Sequence, residues 1–292
     1  MLRGLKGFAS FISAERGVMV FAIALCAAFL ILDSAALKQA YYLGAIVFLG
    51  WSGVDALNNL FDKELDVLSH PSRAEFTKRL GVLGMPVALG LCVLSSLLGV
   101  LTSSLSVVFW IVIGIFFGVL YSVPPFRLRQ TLWKPVVNFT VGAVPVLIVA
   151  AFSGAWYFGV LVLVLVIGTT TAVNSLWEDL ADYAPDLMSG AKTVPVVFGP
   201  KQGLLITVAL GYSLLPLMLI VGITFSLPLL FYVVLFGLAA FVSLRLLLNR
   251  VILLSGEVDR LLKLGEVLAK DFVMVGIIQT LNLMLSGYLS VR

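Results

Sequence analysis

Apolar residues run along this chain in long blocks rather than in alternation. Blocks at about 17–33, 41–61, 82–101, 105–123, 135–153, 156–177, 203–223, 227–249 and 269–289 are each long enough to cross a hydrocarbon layer of roughly 30 Å. They are continuous and rich in Leu, Val, Ile, Ala and Gly. A closed barrel would need alternating faces, whereas a helix satisfies its own backbone polar groups in lipid, so the pattern predicts nine transmembrane helices. Gly, Pro and Ser at 102–106, 153–155 and 224–228 mark short turns and predict that the helices they join pack as hairpins.

Composition excludes a soluble domain. The 292 residues are 61% hydrophobic and 12% charged, with a mean hydropathy of +1.13. The expected architecture is all-α, a polytopic membrane helical bundle in a single embedded domain over residues 1–292. The basic N-terminal stretch MLRGLKGFASFISAERG leads into a full span without a small-residue cleavage site, and is expected to stay as a short amphipathic or interfacial segment. Cys26 and Cys92 lie in apolar runs without metal or redox spacing, as small core residues do.

Charge then sets orientation. Of the 19 Lys and Arg residues, all but Lys38 and Arg292 fall on one side of the predicted spans. By the positive-inside rule that side is cytoplasmic, which places the N-terminus and the long polar loops inside and the C-terminus on the opposite face. The net charge of +4 is thereby a matter of topology and asks for no nucleic-acid partner. No obligate protein partner is evident either.

Acidic residues are few and unevenly placed. Nine of the 15 fall in two windows, Asp55, Asp62, Glu64, Asp66 and Glu75 in one and Glu178, Asp179, Asp182 and Asp186 in the other. Each window closes an apolar span at its cytoplasmic end, where ionisable groups are costly and therefore point to function. Asn58, Asp62 and Asp66 recur every four residues, which stacks an amide and two carboxylates on one helical face. Asp179, Asp182 and Asp186 have the three-then-four spacing that does the same. Oxygen-only faces without paired Cys or His suit Mg²⁺, an ion that commonly bridges carboxylates to substrate phosphates. His70, the single histidine, reads as a solvated loop residue, and Glu64, Glu75 and Glu178 lie off the aspartate faces and read as solvated. Basic residues follow each window: Arg73, Lys78 and Arg79, then Lys192, with YSVPPFRLR adding Tyr121, Arg127 and Arg129. Lys78, Arg79, Arg129 and Lys201 suit the membrane boundary, while the others suit a diphosphate. The substrate expected from this pattern is an amphiphile with a phosphorylated head and a hydrocarbon tail.

NNLFDKELDVLSHPSR resembles the first signature of the UbiA superfamily of intramembrane prenyltransferases, and DLADYAPDLMSGAKTVPVVFG resembles the second. YSVPPFRLR is similar to the tyrosine and basic loop between helices 4 and 5 of many members. Two departures stand out: Asn59 replaces the family's usual aspartate, and Ala-Glu-Phe follows Arg73. The resemblance implies a cytoplasmic cap over a central apolar cavity. It implies that Asn58, Asp62 and Asp66 bind one Mg²⁺ and that Asp179, Asp182 and Asp186 bind a second. Arg73, Arg127, Lys192 and Arg16 would then hold the diphosphate. Tyr121 would lie near the reacting allylic carbon, with Trp133 and Phe126 as further π faces for a cation. The implied reaction transfers a polyprenyl group from a prenyl diphosphate donor to a lipophilic acceptor within the bilayer, first an aromatic quinone precursor and alternatively a glycerol phosphate lipid. An ion-coupled secondary transporter is the competing class, although its sites tend to lie near the bilayer midplane.

Overall fold

The computed structural model describes residues 2–33, 36–64, 67, 71–255 and 257–291. Among these there is no strand, and nine helices are long and apolar enough to cross a membrane. The chain forms two compact units: Met1–Arg127 with Val144–Trp156, and Leu128–Ala143 with Tyr157–Arg292.

The first unit begins with α1 (Leu2–Phe11), the expected N-terminal segment, followed by α2 (Ala14–Ile31). The two meet at Ser13, whose φ of 47° puts a sharp change of direction between them. Next come α3 (Gln39–Asp62), α4 (Pro71–Leu80), α5 (Gly84–Leu101) and α6 (Leu105–Ser122). Ser104 caps α6 by accepting from the Val107 backbone N–H, which explains why the short turn ends where it does.

At the centre of this unit α3 packs against α2, α5 and α6. Without a hydrophobic force between helices in lipid, close approach depends on small residues. A Cβ on Gly53 would come within 2.9 Å of the Ala88 carbonyl oxygen and 2.5 Å of Cys92 Sγ, and one on Gly118 would meet Val54 Cγ1 at 2.3 Å. Two side chains tie α3 to α5 as well: Ser95 Oγ donates to the Ile46 carbonyl at 2.8 Å and Tyr42 donates to that of Leu98 at 2.6 Å. Cys26 and Cys92 are buried thiols, as their apolar settings predict.

α7 (Lys134–Ser153) runs through the division of the chain at 143 and 144. The second unit continues with α8 (Phe158–Ala181), α9 (Tyr183–Ser189), α10 (Val194–Phe198), α11 (Pro200–Thr224), α12 (Leu229–Leu248), α13 (Arg250–Ser255) and α14 (Val258–Val291). α8 is its core helix and packs on α11 and α14. The last helix starts near 258 rather than 269. Its first turns are charged on one side, but Leu261, Leu264 and Leu268 recur at helical spacing and are buried against Val173, Trp177 and Leu180 of α8. Arg245 of α12 grips Asp271 of α14 with two hydrogen bonds of 2.7 and 3.3 Å, so charges near the span ends are paired across helices.

Candidate functional site

In the first unit the acidic stretch closes α3. Asp62 is its last helical residue and is 1% exposed, and Arg127 donates from Nη2 to its Oδ1 at 2.7 Å. Arg127 sits in the segment after α6 with φ of 40°, a left-handed conformation that a non-glycine residue adopts at a cost of about 1–3 kcal/mol. Its Nε is buried and has no hydrogen-bond partner among the described residues. A cation held in a costly conformation, spending one nitrogen on a buried carboxylate and keeping another buried donor in reserve, is suited to an incoming anion.

One and two turns earlier, α3 presents Asn58, Asn59 and Asp55. Asn58 is half-buried. Trp51 Nε1 donates to Asp55 Oδ2 at 3.1 Å, and Arg16 and Arg73 are the two cations whose charge bears on this carboxylate. Arg16 lies at the start of α2 and Arg73 in α4. Asp66 and His70 lie outside the described residues. Tyr121 is half-buried in the last turn of α6.

Asn59 has a role of its own. It is 2% exposed, and its amide nitrogen donates to the Phe11 carbonyl at 2.8 Å and to Ser13 Oγ at 3.4 Å. It clasps the end of α1, which also packs Phe11 against Phe76 of α4 with ring centroids 6.4 Å apart. A carboxylate cannot donate to a carbonyl oxygen. Asn59→Asp is therefore expected to cost about 1–3 kcal/mol, seen as a lower thermal midpoint and faster proteolysis within residues 2–13.

In the second unit the acidic stretch closes α8, but its three aspartates do not share one continuous helix. α8 ends at Ala181, Asp182 has φ −92° and ψ 12°, and Asp186 belongs to α9. Pro185 supplies the reason: it has no N–H to give to the Ala181 carbonyl, and its ring crowds that oxygen. Backbone bonds from Asp182 to Glu178 and from Asp186 to Asp182, each 2.9 Å, carry the chain across the break.

Each carboxylate has distinct surroundings. Asp179 is 0% exposed and accepts from Lys134 Nζ at 2.5 Å through Oδ1, while its Oδ2 is buried with no hydrogen-bond partner among the described residues. Glu178, expected to be merely solvated, accepts from Asn174 at 3.1 Å and stands 3.9 Å from Lys134 Nζ. Partial withdrawal from solvent raises the pKa of Asp182; Lys134 pulls it down, and Asp186 and Glu178 push it up. Thr193 donates to Asp186 Oδ2 at 3.0 Å. The exposed Lys192 follows, its backbone N–H bonded to the Gln130 carbonyl at 2.8 Å, which joins the second basic loop to the YSVPPFRLR segment's continuation.

Lys134 was read from the sequence only as a topology charge, yet it is 7% exposed and lies at the centre of this stretch. Its signal is faint in sequence, a lysine one residue before a proline at the start of a span. The expected boundary pairs are what they seem: Lys78 with Glu64 and Arg79 with Glu75 are exposed, and such pairs add little. Phe126 and Trp133 are 60% and 62% exposed, which does not suit side chains meant to shield a reacting cation. Among the described residues no three His, Cys, Asp or Glu side chains form a group able to hold a metal. Asp179, Asp182 and Asp186, expected to share one ion, therefore do not meet as a ligand group, since the break at Asp182 and the Thr193 bond to Asp186 draw them apart; Asp66 lies outside the described residues.

Comparison with known proteins gives these two stretches a context. The model of the UbiA prenyltransferase family matches residues 18–251. The chain is 28% identical over 238 residues to digeranylgeranylglyceryl phosphate synthase of Methanobrevibacter smithii, covering 76% of this chain and 81% of that protein. Its fold matches a solved structure of a digeranylgeranylglyceryl phosphate synthase with a TM-score of 0.73 at 16% identity, over 99% of each chain. It also matches a UbiA homologue from Archaeoglobus fulgidus bound to DMAPP and Mg²⁺, with a TM-score of 0.65 at 17% identity, over 96% of this chain and 98% of that one.

Proposed function

The chain belongs to the UbiA prenyltransferase family, and from that premise we propose that it transfers a polyprenyl group from an allylic prenyl diphosphate to the hydroxyl of a glycerol phosphate lipid, with release of diphosphate. That it is a multi-pass membrane prenyltransferase follows from the family and the nine spans. The transporter alternative loses its basis with that membership. The acceptor reading is carried by the 28% identity to a digeranylgeranylglyceryl phosphate synthase across most of both chains. An aromatic quinone precursor, favoured on the YSVPPFRLR loop alone, is the second reading. By the charge asymmetry, both acidic helix ends face the cytoplasm.

The donor set fits Mg²⁺. It is oxygen-only, and the buried, unbonded Asp179 Oδ2 is an acceptor that folding leaves unsatisfied. Asn58, Asp62 and Asp66 would hold one ion; Asp179, Asp182 and Asp186 do not meet as a ligand group by themselves, so a second ion there would need diphosphate oxygens beside the open Asp179 Oδ2. When bound, Mg²⁺ neutralises charge building on the diphosphate as the allylic C–O bond breaks. In the first unit Arg127 would offer its unspent Nε, and Arg73 and Arg16 their charges, to phosphate oxygens; in the second, Lys192 would offer its own. Tyr121 offers its ring to the allylic carbon. The acceptor hydroxyl attacks that carbon, its proton passes to a diphosphate oxygen, and the diphosphate departs with the bonding pair. An allylic cation lasts only where water is kept away. α3 and α8, the helices that end in these groups, are among the most buried spans, with 56% and 61% of their hydrophobic windows inside.

The deciding experiment offers purified protein, in nanodiscs with Mg²⁺ and geranylgeranyl diphosphate, either geranylgeranylglyceryl phosphate or a hydroxybenzoate, and measures diphosphate release. Release with the glycerol phosphate lipid is expected. Release with the aromatic acid alone would overturn the acceptor assignment.

A further inference from the structure

Within its ten residues α1 shows three different sides. Gly7 and Phe11, four apart, face α4: Phe11 packs on the Phe76 ring, and Gly7 has no side chain where that ring lies. Lys6 and Ser10, also four apart, are polar and exposed. Leu5 and Phe8, three apart on the remaining side, are apolar and yet 68% and 36% exposed. The segment LRGLKGFASF holds two basic residues and no acidic one. A helix of this length is marginal by itself in water, and packing on α4 covers only one of its sides. Its end is tied to α3: the Asn59 amide that bonds the Phe11 carbonyl and Ser13 Oγ stands one residue from Asn58 and three from Asp62.

We propose that the Leu5 and Phe8 side of α1 docks in the acyl boundary of an anionic phospholipid leaflet, and that this docking braces the last turns of α3 through Asn59. Two features choose this occupant. First, α1 runs directly into the α2 span, so its exposed apolar side stands at the edge of the hydrocarbon, where lipid covers it. Second, by the charge asymmetry that edge is cytoplasmic, the side where anionic head groups gather, and a positive helix without carboxylates complements them. Each basic residue at such a surface is worth about fivefold in binding, so two set a difference of about thirtyfold between anionic and neutral lipid. The turn that carries Asn58 and Asp62 is then steadied by the membrane beside it. This inference goes beyond the prenyl-transfer reading and does not depend on it.

The test places a nitroxide spin label at Leu5→Cys or Ser10→Cys of the whole protein in nanodiscs, the native Cys26 and Cys92 being buried. Relaxation by oxygen, which concentrates among acyl chains, is compared with relaxation by a neutral nickel chelate, which stays in water. In phosphatidylglycerol the Leu5→Cys label is expected to respond mainly to oxygen and the Ser10→Cys label mainly to the chelate. Adding Lys6→Gln should weaken docking about fivefold, and pure phosphatidylcholine should weaken it further, both seen as a gain in chelate access at Leu5→Cys. Hydrogen exchange over residues 55–62 should be at least about fivefold slower in phosphatidylglycerol than in phosphatidylcholine for the parent, and the same in both lipids for Asn59→Ala. Chelate access at Leu5→Cys in phosphatidylglycerol equal to that at Ser10→Cys overturns the docking. A disulfide between two copies through Leu5→Cys overturns it as well, and makes this side a self-association surface. Exchange over 55–62 that ignores lipid charge in the parent overturns the brace.

Discussion

Asp62→Ala is expected to lower prenyl transfer by about 10²–10³-fold or more, the loss typical when a preorganised charge contact to a developing anion is removed. Asp62 is 1% exposed and carries the pair to Arg127, so the alanine variant loses two things at once. A candidate ligand for the metal disappears, and Arg127 is left with both Nη2 and its buried Nε unspent. Asp62→Asn separates these effects. Its amide oxygen still accepts from Nη2, so the thermal midpoint should recover most of the way to the parent's, but a neutral oxygen does not restore the charge. Activity within about threefold of the parent in Asp62→Asn would remove Asp62 from the reaction.

The second large effect concerns stability and activity together. Asp179→Ala leaves Lys134 buried at 7% exposure with its 2.5 Å partner gone, and breaking a buried pair in this way costs about 3–5 kcal/mol. Replacing both partners with apolar residues of similar size, Lys134→Met with Asp179→Leu, removes both charges and is expected to restore stability to within about 1 kcal/mol of the parent. The double variant should nevertheless transfer no prenyl group above background, since Asp179 Oδ2 is gone. Unfolding midpoints and single-turnover rates measured on the same preparations check this. A stable, active double variant would make the pair purely structural.

Much of this fold was legible in the spacing of apolar residues. The spans read at 41–61, 105–123 and 135–153 end within two residues of α3, α6 and α7, because in lipid a helix must cover the hydrocarbon and little else sets its length. The last span was misplaced at its start, since averaging hydropathy over Glu257–Lys270 hides the regular Leu261, Leu264 and Leu268 stripe. In the site, residue types were readable and partners were not. Arg127 could be singled out as a basic residue in a polar loop, but its bond to Asp62 joins positions 65 apart. Asn59 stood out only as the replacement of the family's usual aspartate, while its amide bonds Phe11 and Ser13, far away in sequence. The evenly spaced aspartates of the second stretch suggested one helical face, and the proline that breaks it stands within the motif at 185. Lys134 escaped because a lysine at a span end is usually explained by topology alone.

The small-residue contacts of α3 set how the enzyme answers to the lipid around it. With Gly53 against the backbone of α5 and Gly118 of α6 against Val54, neither neighbour can slide along α3 without the backbones first drawing apart. In a bilayer thinner or thicker than its own, these three helices are expected to tilt together or deform the lipid around them rather than slip past one another. Acyl-chain length therefore becomes a control on the height at which Asp62 meets the head-group layer.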